Sequence, residues 1–289
     1  MQQALEQEIS PFSVRKRSFQ IFDDASSTQI GSARRWLMRG QNFIVEWLEA
    51  GSNTETIQIE SEYETMVLMP DRGGVIHRAD KPAVHAVAGT VCIVPAGPYS
   101  IALEPGASYG VIASSRADIN MDDILNAPAY ADPDPRIDPI RTPYRRQVNQ
   151  GDVQVLQMDD IASPADKPRL KIIQTETLSI NWVAYEGPRK RSQLSPHKHA
   201  SYEQGSLAIR GNYQHHLRVQ WGNDANLWQE DEHCGAPSPS LLVIPVHLIH
   251  TTEGVGDEAH LLIDIFSPPR ADFIAKGWIY NSGEYTLEK

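Results

Sequence analysis

Cysteine is scarce in this chain: Cys92 and Cys234 are the two in 289 residues. With no Cys-x-x-Cys they cannot build a disulfide framework or a thiolate metal site, and Cys92, in an apolar run, reads as an inert buried thiol. Long apolar runs are missing too. Stretches such as Leu241-Leu242-Val243-Ile244 fall far short of a bilayer span. Residues 1–20 contain no apolar leader core, so the expected compartment is the cytoplasm. Positive charge is in deficit, with 26 Lys+Arg against 37 Asp+Glu and a net charge of −11. A chain so acidic lacks the electrostatic footprint of a nucleic-acid binder and has no general attraction for anionic lipid. Neither nucleic acid nor membrane is therefore expected as a partner. Helical periods are short as well: only 122–126 and 272–276 read as helical.

What is present is a folded composition, 40% hydrophobic and 22% charged. Its 20 prolines and 19 glycines punctuate short β-rich runs such as Val91-Cys92-Ile93-Val94, 178–184 and 261–266. That rhythm predicts an all-β sandwich or barrel. Pro128, Pro133, Pro135, Pro139 and Pro143 crowd a segment that should neither pair in a sheet nor continue a helix. It reads as a linker over 126–150, between domains at 1–125 and 151–289. The halves resemble each other. Ile44-Val45-Glu46-Trp47-Leu48-Glu49-Ala50-Gly51 matches 179–187 with one gap, and Val91-Cys92-Ile93-Val94-Pro95 matches Leu241-Leu242-Val243-Ile244-Pro245. Two matches in the same order imply a duplicated domain, with Trp47 and Trp182 at equivalent core positions.

The second half carries Ser195-Pro196-His197-Lys198-His199. On a strand, residues i and i+2 share a face, so His197 and His199 can aim at one point while Lys198 turns away. Two imidazoles on one side begin a divalent transition-metal site. Glu203-Gln204 and Gly211 follow, then Pro245-Val246-His247-Leu248-Ile249-His250. The last strand, 260–266, alternates. His260, Leu262, Asp264 and Phe266 share one face, and Leu261, Ile263 and Ile265 share a wholly aliphatic one that should be buried in a sheet or subunit contact. A carboxylate among apolar groups, Asp264 must be paired, metal-linked or shifted in pKa; backbone or Arg270 would be its plain structural partner.

These residues resemble the two motifs of the cupin superfamily at Gly187, His197, His199, Gln204, Gly211, Pro245 and His250. The spacing from Gly187 to His197 is longer than usual, and His247 stands where the second motif has Gly. The resemblance implies two tandem cupin barrels (jelly-roll, double-stranded β-helix) and one divalent metal ion, Fe, Mn, Ni or Zn, in the C-terminal barrel on His197, His199, His250 and a fourth ligand. Ligand chemistry favours Glu203 as the fourth, since a carboxylate binds a cation better than an amide; the family register favours Gln204, which is taken as the ligand with Glu203 as the alternative. The run Asp264-Ile265-Phe266-Ser267-Pro268-Pro269-Arg270 resembles that of small cupins of pectin degradation, which open the ring of unsaturated uronic acids. That narrower resemblance implies Asp264 for proton transfer, Phe266 for packing the substrate and Arg270 for its carboxylate.

The first half lacks these ligands. It has Glu60-Ser61-Glu62 and Glu64, expected as a solvated acidic strand, and Pro95-Ala96-Gly97-Pro98-Tyr99-Ser100, where Ser100 takes the place of the final His. His77 and His85 are expected in loops. This barrel reads as one that has lost its metal and serves for packing, pairing or a pocket wall. In the second half, His215 either lines the pocket or packs, and 230–235 reads as a polar loop. The leading function is a metal-dependent enzyme acting on a small oxygenated, sugar-acid-like carboxylic acid by Lewis-acid-assisted ring opening or isomerisation. An Fe(II) dioxygenase and a non-catalytic small-ligand cupin are the alternatives. The aliphatic strand face points to a homodimer.

Overall fold

A computed structural model describes residues 14–287. Residues 1–13 and 288–289 lie outside the described residues, and with them most of the segment read for a leader and the outer ends of both domain bounds. The short alternating runs fold as antiparallel strands of two barrels, each built from a large and a small sheet. The first large sheet runs, in spatial order, Gln154–Gln157, Thr90–Val94, Thr65–Met69, Ser108–Ala113, Ile44–Glu49, Ala33–Arg39 and Thr28–Ile30. The second runs Ser18–Ile21, Ser240–Ile244, Gln204–Arg210, Ala259–Phe266, Ser179–Glu186 and Ile172–Gln174. Both repeat matches fall on strands that hold the same place in the two sheets.

One edge strand of each large sheet comes from the other half. Ser18–Ile21 pairs with Ser240–Ile244, and Gln154–Gln157 pairs with Thr90–Val94. The expected bounds 1–125 and 151–289 assign each of these strands to the half it leaves. An edge strand goes where unpaired N–H and C=O groups await it, and nearness in sequence does not report that.

The two large sheets then face each other. Trp36, Trp47, Met66 and Ile93 of the first share one buried cluster with Trp182, Leu207, Ile263 and Ile265 of the second. Leu261, Ile263 and Ile265, the aliphatic face that pointed to a second copy, are thus covered inside the chain. A separate cluster, including Ile57, Ile59, Tyr99, Ile101 and Val111, fills the first barrel. His77 and His85 sit in strands rather than loops, at the end of Gly74–His77 and within Val84–Ala86.

The Pro-rich linker straps across both halves. Asp134 N–H donates to Gln41 Oε1 (2.6 Å), and Asp138 N–H donates to the Ser201 carbonyl (2.9 Å). Past its last proline the chain is free to pair, and Tyr144–Arg146 does so with Tyr285–Leu287, unlike the unpaired course expected to residue 145. There Arg146 Nε meets Glu64 Oε1 at 2.8 Å, and Tyr285 O–H donates to Glu64 Oε2 (2.9 Å). Glu60 and Glu62 are exposed as expected, but Glu64 is buried because the linker and the C-terminal strand close over it. Burial pushes its carboxyl up to about 7, with Arg146 pulling the other way.

Arg146→Met leaves Glu64 buried without its cation. It is expected to lower unfolding free energy by about 3 kcal/mol, the low end for a broken buried pair because Glu64 can take up a proton; urea unfolding measures this. Residues 151–289 expressed alone lack Ser18–Ile21 and expose Ser240–Ile244 as an open edge. That fragment is expected to aggregate, and a soluble, folded monomer would count against the strand exchange.

Candidate metal centre

The three imidazoles are brought together by backbone pairing. His197 N–H donates to the His250 carbonyl (3.0 Å) and His250 N–H donates back to that of His197 (2.8 Å). The His-x-His segment is therefore a single bridge onto the strand Ile249–Val255 rather than a strand of its own. Lys198 does face away, its Nζ donating to Gln220 Oε1 at 2.9 Å. The His199 carbonyl accepts from His247 N–H at 2.7 Å, and His247 has φ 65°. That left-handed conformation is why the motif favours Gly there; a side chain at this φ carries about 1–2 kcal/mol of strain. Ring centroids lie 4.5 Å (His197–His250), 5.0 Å (His197–His199) and 5.2 Å (His199–His250) apart.

Between Glu203 and Gln204, alternation decides which side chain turns inward. Gln204 Oε1 lies 2.9 Å from His199 Nε2 and 3.1 Å from His250 Nε2. Glu203 points to the first barrel, accepting from Gln41 N–H (2.6 Å) and from Tyr130 O–H (3.0 Å). Asp264 is not bonded to Arg270. Its Oδ1 accepts from Gln204 Nε2 (2.9 Å) and its Oδ2 from Asn181 Nδ2 (3.3 Å). Burial pushes the Asp264 carboxyl up to about 6, while those donors and nearby cations pull it down.

One ligand atom from each of His197, His199 and His250 lies within 4.8 Å of the others. The donor set fits a divalent metal on three further counts. The Nδ1 atoms of His197 and His250 face the Ser195 and Leu248 carbonyls, each at 2.9 Å, so they carry the proton and leave Nε2 a lone pair. Gln204 gives its N–H to Asp264, which turns its oxygen toward the imidazoles. Burial holds His199 down to about 3 and His250 to about 4, so both are neutral at pH 7, as ligands must be.

A cavity of about 340 Å³ opens onto this cluster. Asp264, Phe266 and Arg270 line it. Phe266 stands edge-on to His199, with centroids 5.4 Å apart. Arg270 is largely committed: its Nε and Nη2 meet Asp272 Oδ1 and Oδ2 at 2.7 and 2.9 Å, leaving Nη1 3.3 Å from His199 Nδ1. Asn181, Tyr185, Arg169, Arg189 and Lys276 also line the cavity and were missed by the sequence reading. For Asn181 a signal existed: it is polar in an apolar strand and sits opposite Asp264 in register.

The remaining polar residues lie elsewhere. His215 is 1% exposed and absent from the cavity wall; its Nδ1 meets Thr252 Oγ1 at 2.9 Å, and its Nε2 has no partner. Much of 230–235, expected as a loop, belongs to the strand Glu232–Pro237, where His233 Nδ1 lies 2.7 Å from His216 Nδ1. The first barrel, filled by its apolar cluster, brings no comparable group together among the described residues.

No family model matches the chain, and no curated protein matches its sequence. Solved structures do match its fold. A Lactobacillus farciminis oxalate decarboxylase in complex with formate aligns with a TM-score of 0.59 at 15% identity, over 87% of this chain and 86% of that one. AerE from Microcystis aeruginosa aligns with a TM-score of 0.54 at 9% identity, over 88% and 98%. A mutant of Bacillus subtilis oxalate decarboxylase OxdC aligns with a TM-score of 0.54 at 13% identity, over 89% and 78%. The chain has the cupin fold, in two tandem barrels. The second of them presents a group of three histidines able to hold a metal. No helix among the described residues is long and apolar enough to cross a membrane.

Burial holds His215 down to about 3, whereas an unfolded imidazole titrates near 6.5. As pH falls below 6.5 the unfolded chain takes up this proton and the folded one does not, so His215 erodes stability on the acid side. Asp264 and Glu64, with raised pKa values, act in the opposite sense. The informative quantity is therefore the difference between His215→Leu and the parent. The melting temperature of the variant relative to the parent should rise as pH goes from 7.5 to 5.

Proposed function

We propose that the second barrel holds one divalent metal on His197, His199, Gln204 and His250 and is an enzyme for a small oxygenated carboxylic acid, catalysing ring opening or isomerisation. The observation that carries this reading is the Gln204 amide, clamped between Asp264 on one side and two imidazoles on the other. A cation held there would supply Lewis acidity, polarising a hydroxyl or carbonyl oxygen of the substrate. The donor set is neutral, so none of the cation's charge would be cancelled by its ligands, which favours an anionic substrate.

The residues of this chain do the rest. Asp264, with a carboxyl raised to about 6, is poised to take a proton from one substrate atom and return it to another near neutral pH. Asn181 and Gln204 each donate to it, fixing its oxygens while leaving room for exchange. Phe266 supplies an apolar wall beside His199. Arg270 presents Nη1 on that wall, and Asp272 holds its guanidinium in place. The cavity suits a monosaccharide-sized acid rather than a polymer. That similar folds include oxalate decarboxylases, one of them with formate bound, supports a small carboxylate as the kind of substrate. The expected setting is the cytoplasm.

Protein purified without nickel affinity is expected to carry one metal per chain, and His250→Ala is expected to lose it. Asp264→Asn should retain the metal and lower kcat by at least about a hundredfold, the scale of a removed general acid–base. Metal analysis with a screen of uronic and keto acids checks both; undiminished turnover in Asp264→Asn would remove it from the mechanism. Oxygen consumption coupled to turnover would select the Fe(II) dioxygenase reading instead. A tight ligand that is never converted would select a binding role.

A further inference from the structure

Four cationic side chains line the cavity: Arg169, Arg189, Arg270 and Lys276. They are not equivalent. Asp272 faces two of them, meeting Arg270 at 2.7 Å and Lys276 at 3.4 Å. One carboxylate thereby offsets one of the two positive charges on that wall. Arg189 is different. It follows the strand Ser179–Glu186 and reaches across to the strand Ile249–Val255, where its Nη1 donates to the Thr252 carbonyl at 2.6 Å. A carbonyl satisfies a donor without neutralising the charge. Neither Arg189 nor Arg169 forms an ion pair with a carboxylate among the described residues.

A half-buried guanidinium with no counter-ion is costly unless something else supplies one. Burial first, then Arg169, lowers the pKa of Arg189, while Tyr185, Asp264 and Glu253 pull it the other way without reaching ion-pair distance. Both cations act on the Tyr185 hydroxyl, and Arg189 also acts on Asp264. The unbalanced positive charge thus lies toward the proton-transfer group, in the wall with Tyr185 and Thr252. With Nη1 used, Arg189 keeps Nη2 and Nε, a fork suited to a carboxylate.

We infer that Arg189, assisted by Arg169 at the cavity rim, is the anion anchor of this pocket. It takes the carboxylate of the substrate, whereas Arg270, balanced by Asp272, is chiefly a wall. This rests on the enzyme reading above and deepens it. The substrate would carry its carboxylate toward Arg189 and its reacting oxygen toward the histidines, and neutral sugars would be rejected because Arg169 and Arg189 would stay unpaired.

The test is calorimetric titration of malonate, succinate, D-galacturonate and uncharged D-galactose into metal-free and metal-loaded full-length protein, with metal content measured on each sample. At least one of the carboxylates is expected to bind the parent, and D-galactose is not. Arg189→Gln should weaken the carboxylate by about tenfold or more, the scale of a lost charge-assisted hydrogen bond. Arg189→Lys should recover part of it, and Arg169→Gln, at an exposed position, should weaken it less. Arg191→Gln, outside the cavity wall, should change nothing. The inference is overturned if no carboxylate binds, if Arg189→Gln and Arg169→Gln both bind like the parent, or if Arg270→Gln loses as much as Arg189→Gln. Metal reads out separately: anion binding that survives in protein unable to hold a metal would keep the anchor and sink the metal centre.

Discussion

The amide of Gln204 is the contact on which the chemistry proposed for the second barrel turns. An amide has a donor end and an acceptor end, and Asp264 decides which faces the histidines. By accepting Nε2–H, the carboxylate turns Oε1 toward His199 and His250. A Glu in the same place would set two carboxylates side by side, and one of them would have to hold a proton. The neutral amide lets Asp264 remain the titrating group of the pocket. It also leaves the proposed donor set without negative charge, so the proposed anion affinity and proton transfer both rest on one side-chain choice.

The second constraint is where charge is balanced. This pocket has its cations graded by their partners: Arg270 and Lys276 share Asp272, while Arg189 and Arg169 form no ion pair with a carboxylate among the described residues. Counting basic residues in a pocket would rank all four alike. Field strength depends on what each already faces, so the unpaired ones are the ones a ligand can still gain from. Nothing in local sequence separates Arg189 from its neighbour Arg191, which meets Glu253 at 3.2 Å. Only the fold shows which is matched.

Much of the architecture was legible because repeats and period-2 patterns are local. The Trp47 and Trp182 matches lie on strands with the same place in the two sheets, and the aliphatic face of 261–265 is buried as its alternation requires. What covers that face was not legible. A strand reports that it has an apolar side, not whether another sheet of the same chain or a second copy supplies the partner. The strand exchange was hidden for the same reason, as was Glu64, whose cation arrives from a residue 82 positions away by number in the sequence, Arg146. In the site, spacing brought out the histidines and the family register pointed to Gln204, whereas the contacts that turn Glu203 away, with Gln41 and Tyr130, come from distant segments and were not legible.

The first barrel shows what the fold does once the ligands are absent. Its large sheet repeats the strand order of the second, so geometry alone does not make a site. Where the second barrel keeps a cavity, the first is packed with Ile57, Ile59, Tyr99 and Ile101. Apolar filling stabilises a barrel in a way that a hydrated cluster of imidazoles does not, since each buried polar group needs a partner. The first barrel gains its stability this way and covers the aliphatic face of the second. The second is thereby free to keep features that weaken a fold: a left-handed His247, a half-buried Arg189 with no ion pair among the described residues and a partly buried Asp264. Duplication divides the work, with one copy holding the structure that the other needs in order to keep a strained, charged pocket.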